Sequence, residues 1–183
     1  LKRSPTRSRE LMAHLNKFIQ YMPIDKQAKH LFNPIFNITT NEDLYIGSYS
    51  GGSSYSGTYM LSDVRITNTA VYTGNFTPPT ERLTAITGTK LLTCHLPYIS
   101  DGSPSNHTPT IDHDIDCVPD SPYDNVPYSA SSHSGSYYFD GSNDYLQIAD
   151  HADFDIGTGD FTIECWLHCD DPDGSWETLI SSN

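Results

Sequence analysis

Between Tyr137 and Trp166 the chain alternates short apolar runs with Asp, Asn and Gly turns so closely that a helix of ordinary length has no room. Tyr137 to Phe139, Tyr145 to Ile148 and Phe161 to Trp166 are rich in aromatic and β-branched residues and bounded by turn formers, which predicts three strands in a tight meander. A strand turns successive side chains to opposite faces. Phe161, Ile163 and Cys165 therefore share one face and Thr162, Glu164 and Trp166 the other, as in one layer of a sandwich.

Composition narrows the class further. Only 36% of the 183 residues are hydrophobic, and Tyr, Ser, Thr, Asn, Asp and Gly are abundant, which suits short strands joined by polar loops. No apolar run reaches the length of a membrane span and no charged-then-apolar leader opens the chain, so membrane insertion is not expected. The net charge of −13 is divided unequally. Residues 1–40 carry seven Lys/Arg against two Asp/Glu, and residues 41–183 carry three against twenty-one. So acidic a β-rich part repels phosphate backbones, which argues against nucleic acid as a partner and makes divalent cations natural counter-ions.

The run YYFDGSNDYLQIADHADFDIGTGDFTIECW resembles the laminin G-like, concanavalin A-like jelly rolls, especially repeats in tail and fibre proteins of marine bacteriophages. A second match runs from Leu44-Tyr-Ile-Gly-Ser48 through a Gly/Ser/Tyr loop to Gly57–Ile66 and Ala70–Pro79. In that family the second pattern closes a domain, whereas the first lies near the start of one. The inverted order implies a window across a tandem array: a basic segment at 1–40, the closing strands of one repeat at 41–79, a linker at 80–90 and the opening part of the next repeat at 91–183. The chain's first residue is Leu1 and its last follows Leu179-Ile180 almost directly, which agrees with a window of this kind. The expected fold is an all-β antiparallel sandwich, with 44–73 pairing onto 91–183.

Two segments lie outside the resemblance. From Ser8 to Met22, Leu11, Met12, Leu15, Phe18, Ile19 and Met22 fall on one helical face and Pro23 ends the run, predicting a short N-terminal α-helix that packs as a connector. Between Leu91–His95, read as a strand, and Tyr137, six prolines leave space for short strands only, one near Thr108 to Ile111.

The chemistry-bearing residues are mostly polar-loop residues. Sugar-binding sandwiches stack aromatic rings on sugar faces and hydrogen-bond hydroxyls with Asp, Asn and backbone groups. Tyr49, Tyr55, Tyr59, Tyr123, Tyr128 and Trp176 have that character, and Glu164 joins them as a carboxylate on the face away from the expected core, partly exposed if it serves a ligand; the competing reading is a structural carboxylate that accepts hydrogen bonds from neighbouring strands. Asp140, Asn143 and Asp144 gather hard oxygen ligands around Gly141, the kind of turn calcium uses, although an ordinary Asx hairpin also explains them. Asp112, Asp114 and Asp116 would share one face of an extended segment.

Cys94, Cys117, Cys165 and Cys169 form no Cys-x-x-Cys. They read as free thiols ahead of a disulfide, and a zinc site from Cys94, His95, His168 and Cys169 is disfavoured because neighbouring strand residues diverge. Catalysis is not expected. The Glu-x-Asp-x-x-Glu strand signature of related glucanases is absent, and a triad drawn from His107, His113, Asp112 and nearby serines has no nucleophile elbow behind it. The resemblance implies a non-catalytic carbohydrate-recognition or adhesion segment of a multi-repeat phage-like tail, fibre or surface protein, on a virion surface or outside the cell. Its partners would be cell-surface polysaccharide or glycan and neighbouring repeats, with homo-oligomers compatible and calcium as the cofactor. The alternatives are a purely structural virion spacer and a glucanase-like glycoside hydrolase.

Overall fold

The computed structural model describes residues 33–37 (backbone only), 41–49, 51, 55–123, 135–157, 159–169 and 176–182. The Ser8–Met22 helix and Tyr128 lie outside them, as does the side chain of Trp176. Ten strands are present: β1 Asn33–Asn37, β2 Leu44–Ile46, β3 Thr58–Thr67, β4 Thr89–Thr93, β5 Thr110–Asp112, β6 Asp116–Val118, β7 Ser136–Asp140, β8 Tyr145–Ile148, β9 Thr162–Cys169 and β10 Trp176–Ser182. One 3-10 turn, Ala152–Phe154, interrupts the link from β8 to β9. The predicted strands at 91–95, 108–111, 137–139, 145–148 and 161–166 are matched by β4, β5, β7, β8 and β9 with their ends shifted by a few residues.

Two sheets face each other. Sheet A runs β1-β10-β2-β8-β5, and sheet B runs β4-β3-β7-β6 with β9 along the other edge of β3. All pairings are antiparallel except β1 on β10. The segment 44–73 does pair with the later chain, since β2 lies between β8 and β10 while β3 binds β4, β7 and β9. β1 was not anticipated, because the strand that receives it stands at the far end of the chain.

The core lies between the sheets. Leu44, Ile46, Leu146, Ile148, Leu179 and Ile180 come from sheet A, and Tyr59, Leu61, Val64, Ile66, Leu91, Tyr137, Phe139 and Cys165 come from sheet B. On β3 the buried apolar residues are spaced 59, 61, 64, 66, which strict alternation would not allow. Asp63 and Val64 together oppose Cys165 across β9, and Asp63 has φ 53°, so a β-bulge resets the strand's phase and keeps both halves facing inward. The Asp63 carboxylate, buried by this bend, accepts from the Leu83 amide, Ser62 Oγ and Tyr123 Oη, each at 2.8 Å. Burial raises its pKa and those hydrogen bonds oppose the rise.

The outer sides of the sheets differ. Residues 68–88 fold across sheet B, burying Leu83 and stacking Tyr72 on Phe76 at 4.0 Å. On sheet A the outward residues of β2 and β8 are Tyr45, Tyr145 and Gln147. After β2, Gly47 has φ 101°, and a Cβ there would sit 2.7 Å from the Phe139 ring, so the turn that leaves this sheet requires glycine.

Candidate functional site

Among the described residues, the outward positions of β2, β8 and β5 bring together aromatic, amide and carboxylate groups on the outer face of sheet A, with Tyr45 and Gln147 half-buried and Tyr145 9% exposed. Register fixes it. Leu44 and Ile46 point into the core, so Tyr45 must point out; Leu146 and Ile148 point in, so Tyr145 and Gln147 point out. Tyr45 faces Gln147 across the β2–β8 pair, and Asp112 faces Tyr145 across the β5–β8 pair. The Tyr45 and Tyr145 rings meet edge to face with centroids 5.7 Å apart. Gln147 Nε2 donates to Asp43 Oδ2 at 2.6 Å, and Asp43 Oδ1 accepts the Asp150 amide at 2.8 Å. Tyr145 Oη donates to Asp112, whose other oxygen lies 2.7 Å from His113 Nδ1.

These contacts set the electrostatics. The hydrogen bond to Asp112 pushes the Tyr145 phenol up to about 12, and partial burial followed by the Asp43 charge raises Tyr45. Both phenols stay protonated at neutral pH, as donors over ring faces. Gly51 packs on this pair, a Cβ there falling 2.8 Å from the Tyr45 ring, so the Gly/Ser loop reaches the same surface.

The sequence-derived candidates divide sharply. Tyr49 and Tyr55 stand edge to face with centroids 5.9 Å apart, and Tyr55 is 51% exposed, so they remain available. Tyr59 is fully buried and donates to the Thr178 carbonyl at 2.8 Å, and Tyr123 is buried against Trp166 and Asp63. Neither can stack on a sugar. Glu164 is 2% exposed, which fits the structural-carboxylate reading and not the exposed ligand one. Arg65 Nε donates to its Oε1 at 2.7 Å, Tyr72 Oη donates to its Oε2 at 2.6 Å, and Arg65 Nη1 reaches the Thr84 carbonyl at 2.7 Å. The strand phase was right, with Glu164 opposite Cys165, but the 68–88 segment seals that face.

The Asp140–Asp144 turn is built by its own amides. Asp144, buried, accepts the Asp140 amide at 2.9 Å and the Asp114 amide at 3.2 Å, while Asp140 Oδ1 accepts the Ser142 amide at 2.7 Å. A cation bound with Asn143 would have to share these oxygens. Asp112, Asp114 and Asp116 do not share a face: Asp112 ends β5 in sheet A, His113 turns the chain with φ 62°, and Asp116 opens β6 in sheet B. All four cysteines are free. Burial pushes the Cys94 thiol well up and the Cys165 thiol up to about 12, so neither is a reactive thiolate.

Tyr45, Tyr145, Gln147, Asp43 and the role of Asp112 were missed. The signal was present in the alternation of Leu44-Tyr45-Ile46 and Tyr145-Leu146-Gln147-Ile148, which separates core from surface once β2 and β8 are known to pair. Comparison with protein-family models, curated proteins and solved structures finds no match for this chain.

Proposed function

We propose that this chain is a laminin G-like, jelly-roll β-sandwich segment of a phage-like tail, fibre or surface protein, and that it binds glycan without catalysis through the outer face of sheet A. The observation that carries the reading is the Tyr45–Tyr145 pair flanked by Gln147, Asp43 and Asp112 on the outer face of sheet A, where Tyr45 and Gln147 are half-buried and Tyr145 is 9% exposed. Aromatic edges beside an amide and two carboxylates suit a polyhydroxylated ligand, whose C–H faces need rings and whose hydroxyls need acceptors and donors. Tyr49 and Tyr55, paired edge to face, offer a second set of rings in the Gly/Ser loop. The acidic excess outside residues 1–40 favours neutral or cationic polysaccharides over anionic ones.

The test is a glycan array probed with the full chain, followed by calorimetry on any hit. Binding should weaken at least about tenfold in Tyr45→Ala, while Tyr98→Ala, which removes a ring 62% exposed elsewhere, should leave it unchanged. Absence of any hit above background favours the structural-spacer reading. Release of reducing sugar would replace binding by hydrolysis. Glu164 offers that alternative nothing, since both its oxygens are engaged inside the covered face.

A further inference from the structure

We propose that His107, His151 and Asp153 form a zinc-type metal site at the rim of the sandwich, joining the 99–109 loop to the β8–β9 connection. The ligand atoms of these three residues lie within 4.8 Å of one another. His107 Nε2 and His151 Nδ1 are each 3.3 Å from Asp153 Oδ2. In a tetrahedral zinc site with bonds of about 2.0–2.1 Å, neighbouring ligand atoms stand about 3.3 Å apart, so both measured edges already have the spacing an ion would impose.

The second observation is independent of that spacing. The His107 side chain is only 8% exposed, and its Nε2 makes no hydrogen bond although it is aimed at the Asp153 carboxylate. A buried ring nitrogen that has a carboxylate nearby but no hydrogen bond has lost hydration without full replacement, and an ion bound between the two would restore it.

The surroundings hold the ligands in place. Asp101 accepts four hydrogen bonds, from the amides of Leu92, Ser103 and His107 and from Ser103 Oγ, so the backbone at His107 is pinned. Phe154 backs the His107 ring at 4.9 Å. Lys90 Nζ fixes Asp153 Oδ1 at 2.6 Å, and Ser105 Oγ donates to Oδ2 at 2.5 Å, leaving that oxygen one further lone pair. Such outer contacts orient a ligating carboxylate.

Two imidazoles and one carboxylate select zinc or a similar borderline ion, whereas calcium requires six to eight oxygens. The fourth position opens beside His151, which is 53% exposed, and takes water or a donor atom from a ligand. Binding has two opposing terms. His151 Nδ1 accepts the Asp153 amide at 3.1 Å as the cap of the 3-10 turn and must release it, and the Lys90 ammonium stays close to the incoming charge. The affinity is therefore moderate.

Chelator-treated full chain titrated with zinc chloride, by calorimetry and by thermal melts, tests this directly. One equivalent should bind and raise the melting temperature beyond what equal magnesium achieves. His151→Ala and Asp153→Asn should each weaken zinc binding at least about tenfold, each variant's metal-free melt serving as its own baseline for the zinc-induced shift. Cys117→Ser and His168→Ala should bind as the parent does. Zinc that stabilises no more than magnesium overturns the proposal, and so does unchanged binding in His151→Ala, which would place the ion elsewhere.

Discussion

The two outer faces of the sandwich are built from similar strands yet reach opposite ends. On sheet B, Arg65 and Glu164 stand side by side across β3 and β9, and the 68–88 segment closes over them with Tyr72, Phe76, Thr84 and Leu83. On sheet A, Tyr45, Tyr145 and Gln147 stand side by side across β2 and β8, and the side chains of Gln147 and Tyr145 bond to Asp43 and Asp112 in the strands and turns beside them. A charge pair removed from water must be satisfied by its own neighbours, and here each hydrogen bond goes to a named group. An aromatic and amide pair left near water needs no such closure. What a strand position presents to the outside is therefore decided less by the strand than by what the following loop does.

The comparison breaks most forcefully at Glu164. Replacing it by Ala leaves Arg65 buried without its partner, and urea unfolding should show a loss of about 3–5 kcal/mol. A loss below about 1 kcal/mol would mean that sheet B is as wet as sheet A.

Acid should act next, and on the covered side. Burial and then the Arg82 charge lower His95 to about 4, against an ordinary value near 6.5, with Asp101 opposing. Between those values the unfolded chain binds a proton that the fold rejects, so stability should fall as pH drops from about 6.5 to about 4, by up to about 3 kcal/mol. Asp63 has the other sign: with its folded pKa raised, it favours the fold at low pH and loses that contribution as pH rises through the folded value. Urea midpoints of the parent and of His95→Gln at pH 4.5 and 7 separate them, the variant showing the shallower dependence.

The turn beside sheet A should respond less. Asp144→Asn weakens the acceptor for two amides, with an expected cost of about 1–3 kcal/mol. If the turn is sustained by its own hydrogen bonds, calcium will change this cost no more than magnesium at equal ionic strength. The smallest effect belongs to the open face: Gln147→Ala should change stability by no more than about 0.5 kcal/mol. A larger loss there would show that the uncovered face is itself structural.

Much of the architecture was legible from residue pattern. β7, β8 and β9 could be read because aromatic and β-branched runs are cut by Asp-Gly, Asn-Asp and Gly-x-Gly turns, and β4 because Leu91-Leu92-Thr93 stands alone between polar stretches. The bulge was present as the 59, 61, 64, 66 spacing, but only a structure shows that Asp63 absorbs the odd step. Tyr59 and Tyr123 misled because a tyrosine in a polar run looks the same whether its hydroxyl meets water or a buried carbonyl or carboxylate. Glu164 could be read as an exposed ligand or as a structural carboxylate, and what decides between the two is cover from residues some 80–90 positions earlier in the chain. The fit of His107 to His151 and Asp153 depends on loop closure over more than forty positions, with no local spacing to announce it.

The position of β3 has a consequence in time. Every strand that pairs with it, at 89–93, 136–140 and 162–169, comes later in the chain, and the same is true of β2 with β8 and β10. As the chain is synthesised, its two most central strands emerge ahead of all these partners and wait with bare edges while about a hundred residues are added before β9 can close β3. Such late, long-range closure slows folding. In a crowded cell it gives a second nascent copy the chance to take an edge meant for the chain's own later half. Rapid, faithful folding of this protein thus depends on how soon β9 and β10 arrive, and a pause in translation just ahead of Thr162 would expose the molecule at its most vulnerable moment.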